Sequence, residues 1–138
     1  MKISEVIQKM KQYHRGTVRG EPIDEATTRD QILYGNPDQE CTGIVTTCYA
    51  SVDVIRKAHA SGANLIISHE ALFWNHGDHT DWLEAAQNKT FLAKKQLLEE
   101  TGMVVWRDHD YIHSGIPMNG GYVDGIFYGV MVTLGWEK

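Results

Sequence analysis

Five of the seven histidines in this chain lie between positions 69 and 113, and they come in three groups. His69 stands beside Glu70. His76 and His79 follow in Trp74-Asn75-His76-Gly77-Asp78-His79, and His109 and His113 flank Asp110. Neutral imidazole and carboxylate are donors that suit zinc, iron, manganese and cobalt. Cysteine takes no part in the pattern. Cys41 and Cys48 are seven apart with no paired-cysteine spacing, so they read as plain thiols, and missing thiolates argue against an iron–sulfur cluster. No serine or cysteine nucleophile arrangement and no glycine-rich phosphate loop appears. The chemistry on offer is therefore metal ligation. His69, Glu70, His113 and His109 are the candidate ligands, with His109 or Asp110 as groups that hold a ligand or move a proton.

Spacing sets conditions on that reading. His109 and His113 are four apart and share a face only if residues 109–113 form a helical turn. His69 and Glu70 are adjacent, so in a regular strand they point to opposite faces. Both reach one cleft only if the chain leaves strand geometry at His69. His76 and His79 read as loop histidines, and His14 and His59 as structural ones.

The elements that must carry these residues follow from periodicity. Ile3, Val6, Ile7 and Met10 line one face of a first helix. Residues 24–40 are ambiguous: Gly35-Asn36-Pro37-Asp38 is a turn, and a short helix before it that includes Ile32-Leu33 is one reading. Gly43 to Tyr49 is rich in β-branched residues and reads as a strand. Ser51 then caps a helix from Val52 to about Ser61, stopped at Gly62. Asn64 to Ser68 is an apolar strand without alternation, as expected when both faces are covered. A helix over 88–101 ends at Gly102, and 103–107 forms the third strand. Asp124 caps a last helix that stops at Gly135. The pattern predicts one α/β domain over residues 1–138, a three-layer domain with a parallel βαβαβ core. In such sheets ligands bind beyond the carboxyl ends of the strands. His69-Glu70 and the 108–113 segment should emerge on the same rim.

Composition removes other classes. A formal charge of −5 provides no electrostatic footprint for nucleic acid. No apolar run approaches the roughly 20 residues that span a bilayer, so no membrane partner is expected. The start, Met1-Lys2-Ile3-Ser4-Glu5, turns polar at once and does not read as a signal peptide, which makes a cytoplasmic location the expectation.

The run Asn64-Leu65-Ile66-Ile67-Ser68-His69-Glu70 resembles the first metal motif of the NGG-interacting-factor-like family of dinuclear metal-centre proteins. Some members carry the name type 2 GTP cyclohydrolase I. His69 to His76 is similar to a subgroup with glutamate at the second motif position, although Ala71 stands where proline is usual. Trp106 to His113 resembles the second motif, with His113 in place of a ligating aspartate. Asp124 to Gly129 and Leu134-Gly135-Trp136-Glu137 continue the likeness, which spans roughly residues 3–137.

The resemblance implies one half of a two-lobed dinuclear-metal fold, with one or two divalent transition-metal ions, zinc, iron or manganese. The family's second half supplies a further histidine and glutamate to that site. The likeness also implies a homo-oligomer, a hexamer, and a hydrolase acting on a small nucleotide-like or cyclic amide substrate. A metal-binding regulatory or adaptor module, or a scaffold fragment with an incomplete site, is the competing expectation.

Overall fold

The computed structural model describes residues 1–136; Glu137, the last residue of the likeness above, lies outside them with Lys138. The elements begin with α1 (Ile3–Tyr13), β1 (Thr17–Val18), β2 (Glu21–Pro22), β3 (Ile32–Tyr34), β4 (Ile44–Thr47), α2 (Val52–Ala60) and β5 (Leu65–Ser68). They continue with α3 (Asp81–Ala85), α4 (Lys89–Thr101), β6 (Val104–Arg107), α5 (Asp110–Ser114), β7 (Ile116–Met118), β8 (Gly121–Val123) and α6 (Gly125–Leu134).

Local chemistry explains most boundaries. The Ser51 hydroxyl accepts from the Val54 N–H at 3.2 Å and starts α2. Asn88 does the same for α4 through the Phe91 N–H at 3.0 Å. Asp124 takes the N–H groups of Ile126 and Phe127, both at 3.0 Å, and starts α6. Gly62, Gly102 and Gly135 follow α2, α4 and α6 with φ of 79°, 62° and 68°, the left-handed region in which glycine has no Cβ penalty.

The main sheet runs β3-β6-β5-β4. β4, β5 and β6 are mutually parallel, and β3 closes the edge antiparallel to β6. All four residues of β5 and all four of β6 are buried. Strand alternation divides them between two layers. Leu65, Ile67, Val104 and Trp106 pack with Ile3 and Ile7 of α1. Ile66 and Val105 pack on the other face with Ile55 and Ala58 of α2 and Leu98 of α4. The result is a three-layer α/β domain with a β4-α2-β5-α3-α4-β6 core.

Ile32-Leu33 belongs to a strand and not to a short helix. β6 is buried and needs backbone partners along its outer edge. Ile32 lies opposite Trp106 and Tyr34 opposite Val105, with a bulge between the two pairs. Three residues carry too little pattern to announce a strand by themselves. The hairpin of β7 and β8 was likewise not expected.

Both cysteines are free. Among the described residues no helix is long and apolar enough to cross a membrane.

Gly35 holds β3 close to the strand beside it. Its φ is 90°, and a Cβ placed there would sit 2.6 Å from the Met103 carbonyl oxygen and 3.0 Å from the Val104 Cα. Backbone cannot retreat as a side chain tip can. Gly35→Ala should therefore lower stability by roughly 2 kcal/mol or more. An unchanged urea midpoint would contradict this packing of β3 on β6.

Candidate metal centre

Ser68 of β5 lies opposite Arg107 of β6, so the two strands end level with each other. His69 is the first residue past β5. Asp108 is the first past β6, and its N–H still donates to the Ser68 carbonyl oxygen at 2.9 Å. The chain beyond β6 must then turn into α5. Asp30, 2% exposed, organises that turn. Its carboxylate accepts the N–H groups of His109 at 2.9 Å, Asp110 at 2.8 Å and Tyr111 at 2.8 Å. These are donors that a helix start leaves without partners. The His113 N–H then donates to the His109 carbonyl oxygen at 3.1 Å and closes the helical turn.

That turn brings three imidazoles together. The His69 and His109 rings stack at 4.6 Å between centroids. His113 stands edge-on to both, at 5.0 Å from His69 and 4.9 Å from His109. One ring nitrogen from each of the three lies within 4.8 Å of the others, and all three residues are half-buried.

Each ring is also held by its other side. His69 Nδ1 faces the Asp108 carbonyl oxygen at 3.1 Å. His109 Nδ1 faces Asp110 Oδ1 at 3.0 Å, and His113 Nδ1 faces Asp124 Oδ2 at 2.7 Å. A carbonyl or an ionised carboxylate can only accept, so each Nδ1 carries the proton. The Nε2 lone pair is left free on all three. Metal-ligating histidines have this support, which sets the tautomer and aims the ring.

Electrostatics agree with it. Burial lowers the His109 pKa below its usual value, with His69 adding to the effect against the pull of Asp110. Burial pushes Asp110 upward, but the Arg29 N–H, the Thr28 hydroxyl and His109 outweigh it and hold the carboxyl below its usual range. Asp124 behaves alike, with burial opposed by the Phe127 N–H and His113. Both carboxylates are thus acceptors, as the tautomers require. Below the rings, burial and then the Asp30 charge raise the Asp108 carboxyl to about 7.

The other sequence candidates sit elsewhere. Glu70 is outside the group of three and pairs with Arg107, Nη2 to Oε2 at 3.2 Å. Asp110 serves as the partner of His109. His76 comes close, 5.0 Å from the His109 ring, but its Nδ1 faces Arg107 Nη2 at 3.1 Å. A guanidinium only donates, so neutral His76 carries its proton on Nε2, the reverse of the other three. His79 stays in its loop, and His59 is exposed on α2. His14 is buried with its Nε2 3.6 Å from Asp108 Oδ2. Asp30, Arg107 and Asp124 were not singled out as site residues from the sequence. Their roles depend on contacts across 11 to 81 positions, which no local pattern encodes.

A cavity of about 640 Å³ opens beside His69, between the ends of β4 and β5 and the helix α6. Thr47, Cys48, Ile112, Ile126 and Val130 are among its walls, and no Lys or Arg of the described residues lines it.

The model of the Duf34/NIF3 (NGG1p interacting factor 3) family matches residues 1–97. The chain belongs to that family. The match includes His69 and Glu70 and ends before His109. Protein SA1388 of Staphylococcus aureus is similar in fold, at 20% identity and a TM-score of 0.55 over 82% of this chain and 29% of its own. A Bacillus cereus protein related to NIF3 reaches 0.55 at 17% identity, over 82% of this chain and 28% of its own. Reduced HcgD from Methanocaldococcus jannaschii reaches 0.52 at 18% identity, over 82% and 41%. This NIF3-family chain thus spans less than half the length of these structures. No curated protein matches it.

Two outcomes follow for the site. Asp30→Ala leaves three N–H groups without their acceptor and should cost roughly 2–4 kcal/mol in urea unfolding. A loss below about 0.5 kcal/mol would contradict the anchoring role. In an NMR titration His109 should deprotonate at lower pH than a histidine in an unfolded peptide. A midpoint at or above that reference would contradict the buried, paired imidazole.

Proposed function

We propose that this chain binds a divalent transition metal, zinc, iron or manganese, through His69, His109 and His113, and acts as a metal-dependent hydrolase. The observation that carries the proposal is the common support of the three rings, each held at Nδ1 by an acceptor with Nε2 left free. Three imidazoles around one point match the donor set of catalytic sites, in which three protein ligands leave a position for water or substrate. An ion held there supplies Lewis acidity and brings the ionisation of water toward neutral pH.

The residues around the centre have separate tasks. Asp110 and Asp124 keep the His109 and His113 rings in the binding tautomer. His76, with its proton on Nε2, stands beside His109 as a donor toward the reacting group. The cavity walls of Ile112, Ile126 and Val130 offer an apolar surface to the uncharged part of a substrate. With no Lys or Arg among the described residues of its lining, the cavity favours a small cyclic amide over a nucleoside triphosphate.

A second reading, a metal-binding regulatory or adaptor module, draws on α6. That helix buries none of its residues and exposes Phe127, Val130, Met131, Val132 and Leu134. Such an apolar surface suits protein contact, and homo-oligomer formation, a hexamer by family resemblance, is proposed on the same ground.

Purified protein should contain a transition metal by elemental analysis, and the double change His69→Ala with His113→Ala should reduce it to background. Metal content unchanged in the double variant would sink the centre. Lowering the pH from about 7 to about 5 should release the ion, because protonated imidazoles cannot ligate. Retention at the lower value would contradict an all-histidine site. Turnover of cyclic amides should require added metal and fall at least about 100-fold in His113→Ala. Metal binding without turnover on any cyclic amide or GTP would favour the module.

A further inference from the structure

The Arg107 side chain is 2% exposed, yet it lies at the edge of a metal centre. All of its nitrogens are engaged. Nε donates to the His69 carbonyl oxygen at 3.1 Å and Nη1 to the His76 carbonyl oxygen at 2.7 Å. Nη2 lies 3.2 Å from Glu70 Oε2 and 3.1 Å from His76 Nδ1. Those two acceptors are themselves 4.0 Å apart. A carboxylate oxygen and an imidazole nitrogen at that separation are what a second metal ion would use, and a guanidinium nitrogen already stands between them.

We infer that the centre takes a single metal ion, with Arg107 as the built-in second positive charge and Glu70 as its counterion. This rests on the three-imidazole reading above. Strand alternation explains how the arrangement arises. Arg107 shares a face of β6 with Val105, opposite Trp106, and Glu70 reaches it while His69 turns to the other imidazoles. Moving Glu70 onto a metal would strand a buried guanidinium, a strongly unfavourable state. Placing a second divalent ion beside Arg107 would oppose like charges in a half-buried site. The Nε bond to His69 also ties the guanidinium to the backbone of a ligand residue, so the two cations are held at a set distance.

The test is zinc titration of the metal-stripped full chain by calorimetry, with elemental analysis of the product. One zinc per chain is expected. Glu70→Gln keeps an acceptor for Arg107 and should bind one zinc with a dissociation constant within about threefold of the parent. Arg107→Met frees Glu70 and His76 and, where circular dichroism shows it folded, should take up a second equivalent. Two ions per parent chain, or a loss of tenfold or more in affinity with Glu70→Gln, would overturn the inference while leaving the three imidazoles in place. No zinc at all in the parent would remove the three-imidazole reading itself, and this inference with it.

Discussion

The parallel pairing of β5 and β6, with Ser68 opposite Arg107, is the constraint on which the rest depends. Level strand ends put His69 and the 108–113 segment on one rim, 44 positions apart in sequence at their extremes. The same pairing separates the neighbours of each. Trp106 faces α1 and Arg107 faces the α2 and α4 layer, so the charged pair of Arg107 with Glu70 forms behind the imidazoles. A one-residue slip would exchange those faces. It would bring a guanidinium toward the ring cluster and take the Asp108 carbonyl away from His69.

Support of the rings is the second level. Asp30 converts a strand exit into a helical turn by taking three N–H groups, which places His109 and His113 on one face. Asp110, Asp124 and the Asp108 carbonyl then hold the rings from behind. Rings so held lose little freedom when they bind an ion, so the cost of ordering the site is met during folding rather than at binding. Asp124 illustrates the economy of the design. One of its oxygens caps α6 and the other holds His113, which links the last helix to the imidazole cluster.

Much of this was legible in the sequence, and the reasons are specific. Leu65-Ile66-Ile67 and Val104-Val105-Trp106 are apolar runs because both faces of the sheet are covered, and the caps Ser51 and Asp124 announce their helices. The order of strand and helix then predicts the shared rim. β3 was not legible, because Ile32-Leu33-Tyr34 is too short for periodicity and is a strand only because β6 needs an edge partner. Nor was the place of Glu70. Adjacency to His69 suggested joint ligation, and no local pattern announced that the side chain also lies 3.2 Å from a buried guanidinium 37 positions away. His76 resembles the other histidines in type and differs from them in tautomer, which depends wholly on its partner.

The central claim, that His69, His109 and His113 ligate one ion together, is tested most directly by X-ray absorption at the metal edge of the zinc-loaded protein. The account predicts three imidazole nitrogens at about 2.0–2.1 Å with one further light ligand, and no sulfur. A shell of oxygens without imidazole scattering, or a sulfur near about 2.3 Å, would contradict it.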